Sequence, residues 1–277
     1  MESIMDSFNF SEEPDPQPES AKPKPNLFIR AGRGRTGGST GLDLAIQRAR
    51  FQGRRVKPLD GDRRSKTLST LYPAVNDRGE PVQDGASAPL SDELPDIKKW
   101  LSGEFDAMVE DEVSRALDLS GGDRVMQEFV RDLALNEFCQ DYGITPTVAL
   151  FLGPDIEDFR HATEILRSGE FPSARTILVL NEGVIRHGQT PEGAFDPIMD
   201  MPEFDELIDA GVRTLFLRRL TCMAALRERG LGFFDAVSGK PDSKGAKASP
   251  TLAHMTKTWL ATFEREISES KLVGWLP

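Results

Sequence analysis

The amino-acid sequence predicts an α/β domain of three layers, a mostly parallel sheet with helices on both faces. Three observations predict it. Short apolar runs of strand length alternate with amphipathic stretches of helical period from residue 26 to about residue 230. A glycine-rich turn, 32-GRGRTGGST-40, separates the first run from the first helical stretch. Polar and glycine residues gather where five of the runs end: Gly32–Thr40, Asp60–Asp62, Asp118–Gly121, Gly153–Asp155 and Asn181–Gly183. In open parallel sheets the ligand lies beyond the carboxyl ends of the strands, so a cluster of this kind points to a site.

Residues 1–25 are rich in Glu, Asp, Pro and Ser, and read as a disordered tail with too little apolar surface to offset the entropy of ordering. Asn26–Arg30 is the first strand. Leu42, Leu44, Ala45, Ala49 and Phe51 mark a helix ending near Gly53. Residues 54–59 form a second strand whose Pro58 suits an edge position. Residues 73–95, full of Pro, Gly, Asp and Ser, predict a loop, followed by a helix over 92–109. Strand 115–119, the turn Ser120-Gly121-Gly122 and a helix over 123–142 come next. Strand 147–152, helix 155–168, strand 176–181, strand 212–217 and helix 218–229 complete a domain over 26–237. Residues 238–250 read as a flexible link to a last helix, 251–270, within a terminal segment 251–277.

The turn at 32–40 carries the functional argument. A phosphate-binding loop needs small residues, so that backbone N–H groups can face the anion, and a helix that starts at its end. Against G-x-x-x-x-G-K-[ST] the segment reads G-R-G-R-T-G-G-S, and Gly38 stands at the lysine. The stretch resembles the deviant P-loop of ParA/MinD-type ATPases, K-G-G-x-G-K-[ST]-T. Arg33 stands at that family's signature lysine, Gly34 and Gly37 match, Arg35 replaces a glycine, and Ser39 and Thr40 match the closing pair. The run 54-RRVKPLDGD-62 is similar to the family's K-R-V-L-x-x-D-x-D.

The resemblance implies a P-loop NTPase-like domain, with ATP and Mg²⁺ as cofactors bound by Gly32, Gly34, Arg35, Thr36, Gly37, Gly38, Ser39 and Thr40. It implies Ser39 and Asp118 at the metal, Asp62 orienting the attacking water, Arg33 reaching phosphate across a dimer face, and Asn181 facing the base. The missing lysine implies weak or absent hydrolysis, since that charge offsets the phosphates in the transition state. Arg33 or Arg35 is the expected substitute, and a lysine restored at residue 38 is the direct probe. The function so implied is a nucleotide-dependent or pseudo-ATPase switch in DNA partitioning, plasmid transfer or positioning of a complex, acting as a homodimer or through a protein partner. The alternative is a non-enzymatic scaffold that has kept the sheet and lost the nucleotide.

Charge and composition bound the rest. The net charge is −11, which disfavours general attraction to nucleic acid or anionic lipid. Yet between Arg30 and Lys66 the only acids are Asp43, Asp60 and Asp62, among many Arg and Lys. Arg48, Arg50, Arg54 and Arg55, on or after the first helix, are the residues that would meet DNA phosphates. The cysteines, Cys139 and Cys222, and the histidines, His161, His187 and His254, lack metal-ligand or disulfide-framework spacing. The last helix has an apolar face of Leu252, Met255, Trp259, Leu260, Phe263 and Ile267, but Glu264, Glu266 and Glu269 on its polar side disfavour a membrane surface and favour packing on the domain. No long apolar span and no secretion signal occur, so a cytoplasmic protein is expected.

Overall fold

The computed structural model describes residues 24–62, 65–119, 124–169, 171, 175–186 and 188–277. The tail expected over 1–25 lies outside them except for its last two residues, as do the turn Ser120-Gly121-Gly122 and His187. Six parallel strands form one sheet: β1 (Asn26–Ala31), β2 (Val56–Asp60), β3 (Ser114–Asp118), β4 (Thr145–Leu152), β5 (Thr176–Asn181) and β6 (Arg213–Leu217), in the order β2-β3-β1-β4-β5-β6. Helices cover both faces, as the alternation predicts. The inner strands are apolar on both sides because both sides are covered.

On one face lie α3 (Leu94–Asp111), α4 (Arg124–Leu133), α5 (Leu135–Asp141), α6 (Ile156–Arg167), α7 (Asp196–Met199) and α8 (Pro202–Asp209). Their Leu101, Phe105, Phe129, Phe159 and Phe204 share a core with the odd-numbered residues of β1. The other face carries α1 (Gly38–Phe51), α2 (Thr67–Leu71), α9 (Met223–Glu228), α10 (Phe233–Ser238) and α11 (Pro250–Glu269), with Leu42, Ile46, Phe233, Trp259 and Phe263 in its core. The chain leaves β1 toward β2 on the α1 face, and leaves β3 and β4 in the opposite direction on the other face. The turn after β1 therefore stands at the topological switch point of the sheet.

Several expected elements differ. The helix predicted over 123–142 breaks at Ala134, whose φ of 50° divides it into α4 and α5. The helix predicted over 218–229 begins only at Met223, because Arg218 and Arg219 turn back to Glu182. α2, α7, α8 and α10 are too short for their period to show in sequence. Pro58 does sit on an edge strand, and Ser87 of the 73–93 excursion bridges the open side of β2 by donating to Pro58 O and accepting from Asp60 N. α11 packs on the sheet: Trp259 donates to Arg218 O, and Leu260 and Ile267 are buried. Asp242 ties the 239–249 loop together, accepting from Lys244 N and Ala246 N and pairing with Arg229. The chain terminus packs too, with Leu276 buried and Trp275 flanked by the guanidinium groups of Arg175 and Arg213.

Candidate functional site

The parallel register puts three charged residues in one row. Arg30 of β1 pairs with Asp118 of β3, which pairs with Asp60 of β2. All three lie at the carboxyl ends of their strands, on the face that α1 covers, and all are nearly inaccessible. Buried charges need partners. Arg30 Nη1 donates to Leu119 O and lies 3.5 Å from Asp118 Oδ1, while Nη2 donates to Arg33 O. Asp60 Oδ2 accepts from Ser69 N. Among the described residues, that leaves Arg30 Nε, Asp60 Oδ1 and both carboxylate oxygens of Asp118 without a hydrogen bond.

Burial dominates the electrostatics of Asp118 and pushes its carboxyl above the usual carboxylate range. The Arg30 charge and the nearby Ser39 hydroxyl oppose that effect, and Asp60 and Asp62 add to it. The Ser39 hydroxyl thus faces Asp118 from the start of α1, although neither Asp118 oxygen completes a hydrogen bond.

Above this row lies the glycine-rich turn. Gly37, with φ 77°, is the N-cap of α1, and no side chain caps the helix. Among the described residues no backbone carbonyl accepts from the amides of Gly38, Ser39 or Thr40. The first N–H groups of a helix left open in this way form an anion site. The turn is held from behind. Thr36 Oγ1 donates to Arg33 O, and Asn181 Nδ2 donates to Thr36 O. A Cβ on Gly37 would lie 2.3 Å from Asn181 Nδ2, so only glycine admits this contact. Gly32 (φ 107°) turns the chain against the Phe151 backbone, while Gly34 and Arg35 form an exposed lip. The open side of the turn gives onto a cleft of about 1330 Å³, lined by Arg35, Gly38, Ser39, Thr40, Asp62, Arg227 and Phe233.

The expected site residues therefore separate. Gly38, Ser39, Thr40, Asp62 and Asp118 come together, with Asp62 half-buried at the cleft and its Oδ1 accepting from Ser65 N. Asn181 stands behind the turn, its Nδ2 donating to Thr36 O and its Oδ1 accepting from Gly183 N. Arg33 turns away toward α6 and pairs with Asp158 at 3.2 Å. Thr40 accepts a hydrogen bond from Arg227. The arginines expected to meet DNA are spent on internal braces. Arg48 is bidentate to Glu264 of α11, and Arg50 donates to Val56 O and Asp84 O. Arg54 donates to Leu276 O, and Arg55 is bidentate to Asp84.

The residue that sequence reasoning missed is Arg30. A Cβ built on Gly38 would lie 2.0 Å from Arg30 Nε and 2.9 Å from its Cδ and Cγ. The position where the resemblance expects a lysine is thus crossed by an arginine side chain from the strand below. A lysine placed at residue 38 alone would collide with it, so that substitution is not a clean restoration. The signal was present in the sequence as a cation in a largely apolar strand, two residues before the loop.

The residues fit Mg²⁺ with a polyphosphate. Among the described residues no three carboxylate, His or Cys groups converge as an all-protein metal cage. Mg²⁺ is commonly held by one or two protein oxygens together with phosphates and water, and Ser39 with Asp118 supplies that number.

No protein-family model matches the chain, and no curated sequence matches it. Among solved structures it is similar to the MinD cell division protein of Aquifex aeolicus, at 14% identity and a TM-score of 0.44, over 86% of this chain and 97% of that one. It is also similar to a chain of the MinC:MinD cell division protein complex of the same organism, at 13% identity and a TM-score of 0.43, over 86% and 96%. A likeness this loose carries no chemistry from those proteins to this one.

Proposed function

We propose that this protein binds a nucleoside triphosphate with Mg²⁺ at residues 32–40 and works as a nucleotide-dependent switch. One observation carries the reading. An uncapped helix start opens on the cleft, and beneath it buried Asp118 faces Ser39 with its two oxygens lacking hydrogen bonds among the described residues. The amides suit phosphate, and the carboxylate beside Ser39 suits the hydrated cation that accompanies it. Ser39 would ligate Mg²⁺ and Asp118 would hold its water; Arg35 on the lip and Arg227, which donates to Thr40, would meet outer phosphate or sugar oxygens.

Hydrolysis is expected to be slow, because the loop lacks its lysine and Arg33 is paired elsewhere. Nucleotide state would then govern contact with a second copy or a protein partner, in the positioning or transfer roles that the loop's resemblance implies. DNA as a direct partner has little support from Arg48, Arg50, Arg54 and Arg55, which are engaged within the chain.

Titration calorimetry with ATP and Mg²⁺ tests the reading. Heat of binding is expected with protein at about 100 µM, a concentration that detects sites of roughly −5 kcal/mol, and it should vanish with EDTA. No heat under those conditions returns the domain to the scaffold alternative.

A further inference from the structure

We propose that Arg30 has taken over the charge of the missing loop lysine. Its guanidinium enters the phosphate cradle from the strand beneath, and Gly38 is the space this exchange requires. The inference rests on the nucleotide reading above and deepens it.

The first argument is steric. Gly38 is the first residue of α1, and its backbone does not occupy the left-handed region. Glycine is a poorer helix former than alanine, and no turn geometry demands it here. What demands it is Arg30, which would meet any Cβ at 2.0 Å. Residues 30 and 38 are therefore coupled: a side chain at residue 38 and the present Arg30 conformation exclude each other.

The second argument is unspent charge. A guanidinium carries five N–H donors. Arg30 is 4% exposed, and its described hydrogen bonds go to two carbonyls, Leu119 O and Arg33 O, with Nε unpartnered. Among the described residues its ion-pair partner is Asp118, at 3.5 Å, and neither Asp118 oxygen completes a hydrogen bond. A buried cation and a buried anion that leave each other's capacity unfilled are matched by a ligand carrying both signs, a polyphosphate with its divalent cation. The Arg30 hydrogen bond to Arg33 O also ties the charge to the loop itself, so the cradle and its cation are placed as one unit.

The test uses the full chain and ribose-labelled fluorescent ATP, ADP and AMP with Mg²⁺. Arg30→Ala is expected to weaken ATP and ADP binding by roughly tenfold to a hundredfold, the range of a lost charge-assisted hydrogen bond. AMP binding should change less than about threefold on the same scale. A merely structural role would weaken all three nucleotides alike, and that outcome overturns the proposal. Gly38→Lys alone should also bind poorly, because the new side chain displaces Arg30. The double variant Arg30→Ala with Gly38→Lys should recover most of the ATP affinity; recovery of none overturns the proposal.

Should Arg30→Ala fail to fold, Gly38→Ala carries the test. It should lower both melting temperature and ATP affinity, although alanine is the better helix former; raised stability with unchanged affinity overturns the proposal. Parent protein that binds none of the three nucleotides defeats the nucleotide reading itself. Parent protein that binds ATP while Arg30→Ala binds it equally well defeats only the role of Arg30.

Discussion

Two buried arginines stand on neighbouring strands at opposite ends of the sheet, and they are treated differently. Arg115, at the amino end of β3, is fully inaccessible. Its Nη2 donates to Asp111, its Nη1 donates to Val113 O, and Glu104 lies 3.7 Å from Nε while also pairing with Lys57. Two cations meet two carboxylates there, although Arg115 Nε and Glu104 Oε2 complete no hydrogen bond among the described residues. At the carboxyl end, Arg30 faces Asp118 and Asp60, and hydrogen-bonding capacity is left over on all three. The titration of the carboxylates records the contrast. Burial alone would raise Asp111, but hydrogen bonds from Arg115 and the Val113 amide, with the charges of Arg115 and Arg55, carry it below its ordinary range. Asp118 is carried above its own. An ion cluster whose charges are matched needs no ligand, whereas one in which neither oxygen of a buried carboxylate completes a hydrogen bond among the described residues is the better candidate for a site.

The largest effect expected from this contrast is on stability. Arg115→Ala should cost about 3–5 kcal/mol in urea unfolding, the usual price of stranding a buried carboxylate partner. Arg30→Ala should cost less, on the order of 1–2 kcal/mol, because the described hydrogen bonds of Arg30 go to two main-chain carbonyls and not to a carboxylate. Equal losses would erase the distinction between the two ends.

Next in size is Asp118→Asn. The parent carboxyl is raised, so the folded state holds a proton that the unfolded state gives up above its ordinary value near 3.8. Stability conferred by that proton is complete below the unfolded value and is lost as pH rises through the folded one. The asparagine variant should therefore gain on the parent as pH climbs from acid to neutral, and lose Mg²⁺-dependent nucleotide binding. Asp111→Asn should show the reverse sign: its stabilising charge is present above the unfolded value and fades as pH falls through the lowered one. Unfolding curves at several pH values for both variants decide this.

How far the sequence reached follows the same division. The sheet was legible because β1, β4 and β5 are continuous apolar runs, and a run of that kind has few other fates. The loop was legible because its glycines and following helix are contiguous. What lay hidden depended on register. Nothing in one dimension says that Arg30, Asp118 and Asp60 share a row, or that the Arg30 side chain crosses Gly38. The basic run from Arg48 to Arg55 misled for a related reason. Its partners Glu264, Asp84 and Leu276 O are distant in sequence, so the arginines looked unpaired.

The smallest effect concerns Arg55, which lies beside the amino-end cluster but faces water, 52% exposed, and pairs with Asp84. Arg55→Ala should change stability by less than about 1 kcal/mol at low ionic strength, and by nothing measurable in about 1 M salt, since solvent and ions screen such pairs. It should also let the Asp111 carboxyl drift back toward its ordinary value, because Arg55 is one of the charges holding it down. Its affinity for a labelled DNA duplex should match that of the parent. A loss well above 1 kcal/mol would mean that the amino-end cluster reaches the surface through Arg55, and that the line between matched interior and solvated rim belongs one residue further out.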